Sequence, residues 1–163
     1  MKSAILHVYG FQLSLARKLV DDIPDHQLAE LPTGCAHHAA WLLGHLCHAA
    51  NNIGTELGAP WQMSPEWDEL FDQGTGAGEA RERYPSREEL LEVLSRQHEQ
   101  TARLLSETSD ERLATPYPDG GYGGLTPTLG DACAFMMLWH EAHHLAQLAV
   151  WRRCMGYPSA LGL

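Results

Sequence analysis

Apolar residues recur along this chain with a helical period and not with strand alternation. Leu6, Tyr9, Leu13 and Ala16 fall at spacings of three and four, which predicts a first helix running to about Val20, with Ser3 placed to cap it. Pro24 ends it, and residues 24–31 fit a short extra turn. A second helix is predicted over 36–57, stopped at Gly58. Regularity then lapses. Residues 58–85 hold Pro60, Pro65, Gly74, Gly76, Gly78 and Pro85, with Trp61, Trp67 and Phe71 among them. A connection this long and aromatic in a compact domain points to a crossover or a functional loop. Ser86-Arg87-Glu88-Glu89 forms a capping box that opens a third helix to about Leu105, with Leu90, Leu94 and Leu104 in its apolar set. After a Gly/Pro loop over 115–126, Thr126 is placed to cap a fourth helix, with Pro127 at its first position. That helix is predicted to reach Met155 and stop at Gly156, with Pro158 beyond. Its stretch from Ala132 to Trp139 is apolar all round and is predicted to be the most buried helix.

Four long helices, two sizeable connections and no convincing strand give an all-α fold, a four-helix bundle with at least one crossover. The length of 163 residues suits one domain with a real core, spanning 1–163. A formal charge of −10 argues against nucleic acid and anionic membrane as partners, since phosphate binding needs clustered Lys and Arg. Arg152-Arg153 comes closest to a basic patch, at a helix end where cations favour the dipole. In MKSAILHVYGFQLSLARK, His7, Tyr9 and Gln12 interrupt any signal-peptide core. The segment reads as an amphipathic helix of a cytoplasmic protein. Cys35, Cys47, Cys133 and Cys154 show no C-x-x-C spacing and read as buried reduced thiols.

The chemistry concentrates in His140-Glu141-Ala142-His143-His144. His140 and His144 lie one helical turn apart on one face, a spacing that can grip a transition metal. The string also fits the H-E-x-x-H pattern of zinc proteases, where the Glu is general base. A catalytic zinc needs a third protein ligand, and residues 145–163 contain no Asp, Glu or His. Gln147 stands where the metzincin extension needs Gly, and no strand pattern offers an edge for a peptide. The protease reading therefore fails, and any third ligand lies upstream.

Residues 35–58 carry four of the ten histidines. At ~100° per residue, His38, Trp41, His48 and Asn52 fall within roughly 60° of His45. The same arithmetic puts Gln147 on the stripe of His140 and His144. Two helices with complementary polar stripes point to a metal site inside a bundle. His48 stands one turn from His45, as a fourth ligand or a neighbour. His38 is about 10 Å along the axis, too far to share a metal, and reads as a hydrogen bonder at the helix start. Glu141 points ~100° from His140 and reads as an exposed carboxylate or one that supports a ligand. Gln147 and Asn52 orient a substrate or bond across the helix interface. His98 either lines the cavity or faces solvent. Trp61, Trp67 and Phe71 lid the site or simply pack.

HHAAWLLGHL at 37–46 and WHEAHHLAQLAVWRRCMGYPS at 139–159, with weaker support from Phe71, Gly74 and YPSREELLEVL at 84–94, give the chain a family likeness. It resembles the DinB/YfiT-like superfamily, in its damage-inducible DinB-type subgroup, in element order over nearly the whole length. The resemblance implies a four-helix bundle with a long crossover between the second and third helices. It also implies a divalent metal, nickel or zinc, on one histidine of the second helix and two of the last. Carried over, these are His45, His140 and His144, with His143 the alternative to His144. Ala146 departs mildly from the Gly the family often places before the Gln. Thiol-dependent isomerases and S-transferases in the superfamily imply a low-molecular-weight thiol as a possible cofactor, with a metal-dependent hydrolase or a non-catalytic binding bundle as alternatives. A small-molecule substrate and a homodimer are further implications. The DNA polymerase that shares the name is a different protein, and the acidic charge agrees.

Overall fold

The structure is a computed structural model that describes residues 2–78, 80–118, 121 and 123–162. Positions 119, 120 and 122 of the Gly/Pro loop lie outside the described residues. The long helices are α1 (Lys2–Val20), α2 (Ala39–Glu56) and α4 (Arg87–Glu107). A continuous rod follows, made of α6 (Leu129–Ala134), a π-helical turn (Phe135–His140) and α7 (Glu141–Cys154). Two short helices, α3 (Pro65–Phe71) and α5 (Asp110–Leu113), sit in the connections. The described residues hold one isolated bridge, Pro116 with Thr128, and no strand. Among the described residues no helix is long and apolar enough to cross a membrane.

Both α1 and α2 pack against α4 and against the rod. The first two helices are therefore diagonal in the bundle, while α2 and α4, joined by the long crossover, lie side by side. This is the predicted all-α bundle. Its element ends follow local chemistry. His38 caps α2 by accepting the Trp41 N–H on Nδ1 at 3.1 Å, and its Nε2 lies 2.9 Å from the Gly78 carbonyl oxygen. Ser86 caps α4 by accepting the Glu89 N–H. The predicted short turn is a 3₁₀ turn over Asp25–Gln27.

Several expectations are corrected. Ser3 lies inside the first turn of α1 and is not its cap. The cap of the last long helix is Thr128 and not Thr126, because Thr128 and Asp131 form a reciprocal capping box two residues later. The irregular crossover contains α3, opened by Pro65 at its start. Ala132–Trp139 is not the most buried stretch. That place belongs to α2, where all but three of the 18 residues are buried, whereas Trp139 is 57% exposed. The wide turn at 135–140 aims the rings of this stretch into a cleft and not into the core. Of the four free thiols, Cys47 and Cys133 are buried, Cys35 is half-buried and Cys154 is exposed.

Arg152 is not part of a basic patch. It is 3% exposed and donates to the carbonyls of Leu19 and Pro158 and, with both terminal nitrogens, to Asp22. It ties the end of α7 to the end of α1. Its hydrogen bonds hold the Asp22 carboxyl below its ordinary value of 3.8. A carboxylate with a depressed folded pKa stabilises the fold above the unfolded pKa, and that gain is lost as pH falls through the folded value. Arg152→Ala is expected to cost about 2 kcal/mol at neutral pH. In urea titrations the gap to wild type should narrow below about pH 4, the range set by ordinary carboxylates. A gap independent of pH would assign the loss to packing alone.

Candidate metal centre

Packing of α2 against the rod brings His45, His140 and His144 together, with one ring nitrogen from each lying within 4.8 Å of the others. The His140 Nε2 is 3.3 Å from the His45 Nε2 and 3.2 Å from the His144 Nε2. The second nitrogens fix the tautomers. His45 donates from Nδ1 to the Phe71 carbonyl at 2.7 Å. His144 donates from Nδ1 to the Gln147 Oε1 at 2.9 Å, and the Gln147 amide donates in turn to the His143 Nε2. A neutral imidazole carries one proton, so His45 and His144 present bare lone pairs from Nε2. His140 can satisfy only one of them. Its Nδ1 is buried without a hydrogen-bond partner among the described residues.

Burial, and then the neighbouring imidazoles, push His140 down to about 3 and His144 down to about 4. Burial also lowers His45. All three are therefore neutral at physiological pH, the form a metal requires. Bonds of about 2.05 Å, usual for zinc to histidine nitrogen, put tetrahedral ligand atoms about 3.3 Å apart. The two edges at His140, 3.3 and 3.2 Å, match. Converging lone pairs that no proton can all satisfy are the arrangement a cation relieves, and the three residues fit a divalent metal ion.

The crossover builds one side of this centre. Phe71, at the end of α3, is fully buried against Gly44, where there is no room for a side chain. The Trp41 indole donates to the Thr75 hydroxyl. Phe71 thus packs and is no lid, while its backbone oxygen orients His45. Trp67 packs edge-on to Phe71, and Trp61, 42% exposed, packs edge-on to His48.

The remaining histidines separate cleanly. His48 turns away from the cluster, with Nε2 3.3 Å from Asp68 Oδ1 and Nδ1 4.0 Å from Asp72 Oδ1. His143 is exposed on the cleft side, stacked on Trp139. His98 neither lines the cleft nor meets solvent. It is 3% exposed, stacked on Tyr9 at 3.7 Å and paired with Glu141 at 3.1 Å. Glu141 is itself buried, with its carboxyl raised by desolvation. It faces α4 and not the cluster, which removes the protease base. Sequence reasoning missed this buried pair, as it missed Gln12, whose amide takes up the Leu138 carbonyl inside the π-helical turn at 3.0 Å. A Glu beside a ligand and a His at a core position of α4 were the available signals.

Above the three histidines opens a cleft of about 580 Å³, lined also by Asn52, Asp72, Thr75 and Gln147. A helical bundle whose second and last long helices hold three convergent histidines at the floor of an open cleft defines the class. The sequence model of the DinB superfamily matches residues 11–148, and the chain belongs to that superfamily. A search of curated proteins finds no match.

Proposed function

We propose that this protein is a metal-dependent enzyme in which His45, His140 and His144 hold a divalent ion, nickel or zinc, and a small-molecule substrate enters the cleft above them. The observation that carries this reading is the convergence of three imidazole nitrogens within 4.8 Å of one another, with His140 at 3.2–3.3 Å from each of the other two, on the floor of an open cleft. Three protein ligands leave coordination positions free for a reactant. The bound ion would supply Lewis acidity, favouring the anion of a thiol or of water. The chain's own residues orient and shield. Phe71 and Gln147 fix two imidazoles in the ligating tautomer, Trp41 stacks on His45 at 4.7 Å, and Asn52 offers an amide to the substrate.

The superfamily's thiol chemistry supports S-transfer or isomerisation with a low-molecular-weight thiol. Hydrolysis is the second reading, and one observation favours it. No Lys or Arg is among the described residues lining the cleft, so nothing there matches the carboxylates of an acidic thiol cofactor. The apolar side chains Val8, Phe11 and Val150, exposed on α1 and α7, support pairing as a homodimer, and four free thiols support a reducing, cytoplasmic setting for a single-domain protein.

The test is metal content of tag-free protein, followed by titration of chelated protein with nickel and zinc. One equivalent per chain is the expected result and leads to screens for thiol conjugation and ester hydrolysis. No metal and no uptake would overturn the enzyme reading and leave a binding bundle. Gln147→Leu is expected to weaken metal binding about tenfold, the lower range for losing a partner that orients a ligand, with the thermal midpoint of the metal-free protein little changed. Competition with a chelating dye measures it, and an unchanged affinity would remove Gln147 from the centre.

A further inference from the structure

Two ladders of rings wall the three-histidine cleft. Leading into and along α2, His37 stacks on Trp41 at 3.9 Å and Trp41 on His45 at 4.7 Å, with interplanar angles of 15° and 9°. On the rod, Phe135 stacks on Trp139 at 4.8 Å and Trp139 on His143 at 5.3 Å, at 25° and 10°. Each ladder repeats every four residues, one helical turn, so its rings share a face. All six residues line the cleft.

Packing accounts for the ladder on α2, whose Trp41 is 3% exposed, but not for the ladder on the rod. A tryptophan placed for stability is buried on a core face, yet Trp139 is 57% exposed while held between two stacked neighbours. The indole is fixed and still presents surface, as ligand-binding aromatics do. Charge narrows the ligand further. The described residues of the lining include the carboxylate of Asp72 and no Lys or Arg, in a chain of net charge −10. Carboxylates and phosphates meet no fixed cation from the protein there. Neutral rings and ammonium groups suit electron-rich ring faces.

We propose that the cleft takes a planar aromatic small molecule bearing no carboxylate or phosphate, its ring against the ladder on the rod at Trp139 and its reacting group toward the three histidines. This rests on the cleft being the functional site, and it names the substrate class that the proposed function left open.

The test is ligand-observed NMR titration with benzylamine, N-benzylacetamide, benzoate and the non-aromatic cyclohexylmethylamine, on protein as purified and after chelation, with metal content measured alongside. In both preparations benzylamine is expected to bind at least about fivefold more tightly than cyclohexylmethylamine, a margin typical of stacking. Benzoate should be the weakest aromatic in chelated protein, where no metal can capture its carboxylate. Trp139→Ala and Trp139→Leu should each lose the aromatic preference while keeping the wild-type metal content and circular dichroism. Equal binding of the cyclohexyl compound, benzoate as the tightest ligand of chelated protein, or unaltered preference in both Trp139 variants would overturn the proposal. Aromatic preference without metal uptake would sink the metal reading and leave this one standing. Metal uptake without aromatic preference would do the reverse.

Discussion

His140→Ala is expected to abolish stoichiometric binding of nickel and zinc, lowering affinity by well over 100-fold, more than the 10–100-fold typical of losing an orienting partner. His140 is the hinge of the cluster, since its Nε2 contacts both other imidazoles. Without it, two nitrogens from different helices remain, too few for a three-ligand site. The same substitution should leave the metal-free fold intact. It removes a buried ring nitrogen that has no hydrogen-bond partner among the described residues and relieves lone pairs crowded at 3.2–3.3 Å. Wild type should therefore gain about 4 kcal/mol from metal at a thousandfold excess over its dissociation constant, and the variant should gain almost nothing. Differential scanning calorimetry with and without nickel reads both effects. A variant that keeps one equivalent of metal, or the same metal-induced rise in midpoint, would remove His140 from the site.

The helical period made the bundle legible. Apolar spacing located four long helices to within a few residues, and Pro24, Gly58, Ser86 and Gly156 marked their ends, because caps and breakers act locally. The three histidines were legible for a related reason. Spacing of four fixed His140 beside His144, and the family likeness chose His45 from the stripe on α2. What stayed hidden depends on tertiary contact. The π-helical turn leaves no mark in a uniformly apolar run such as Ala132–Trp139, so the run read as core while Trp139 in fact reaches solvent. Thr128 displaced Thr126 as the cap because Asp131 completes its box, a competition between two good candidates. Glu141 read as exposed or supporting, since period alone cannot show that α4 places His98 opposite it. Arg152 read as a surface cation because its acceptors on Leu19, Asp22 and Pro158 come from distant chain positions and a tail.

The second large effect is expected from a residue with no side chain. Gly44 lies beside His45 on α2, and a Cβ built there would overlap three carbons of the Phe71 ring. Ala within a helix ordinarily gains up to about 1 kcal/mol over Gly. Here overlap with a fully buried ring should reverse the sign, for a net loss of about 3 kcal/mol, the upper range for overpacking. Displacing Phe71 also moves the carbonyl that receives the His45 proton, so metal affinity should fall about tenfold as orientation is lost. The two effects can be separated. Adding Phe71→Leu to Gly44→Ala restores space while keeping the backbone acceptor, and residues in contact are expected to couple. The double variant should recover most of the stability, with metal binding recovering as α3 returns to its place. Thermal melts and a metal titration across the four members of this cycle decide it. A stabilised Gly44→Ala with undiminished affinity would show that the crossover does not set the position of His45.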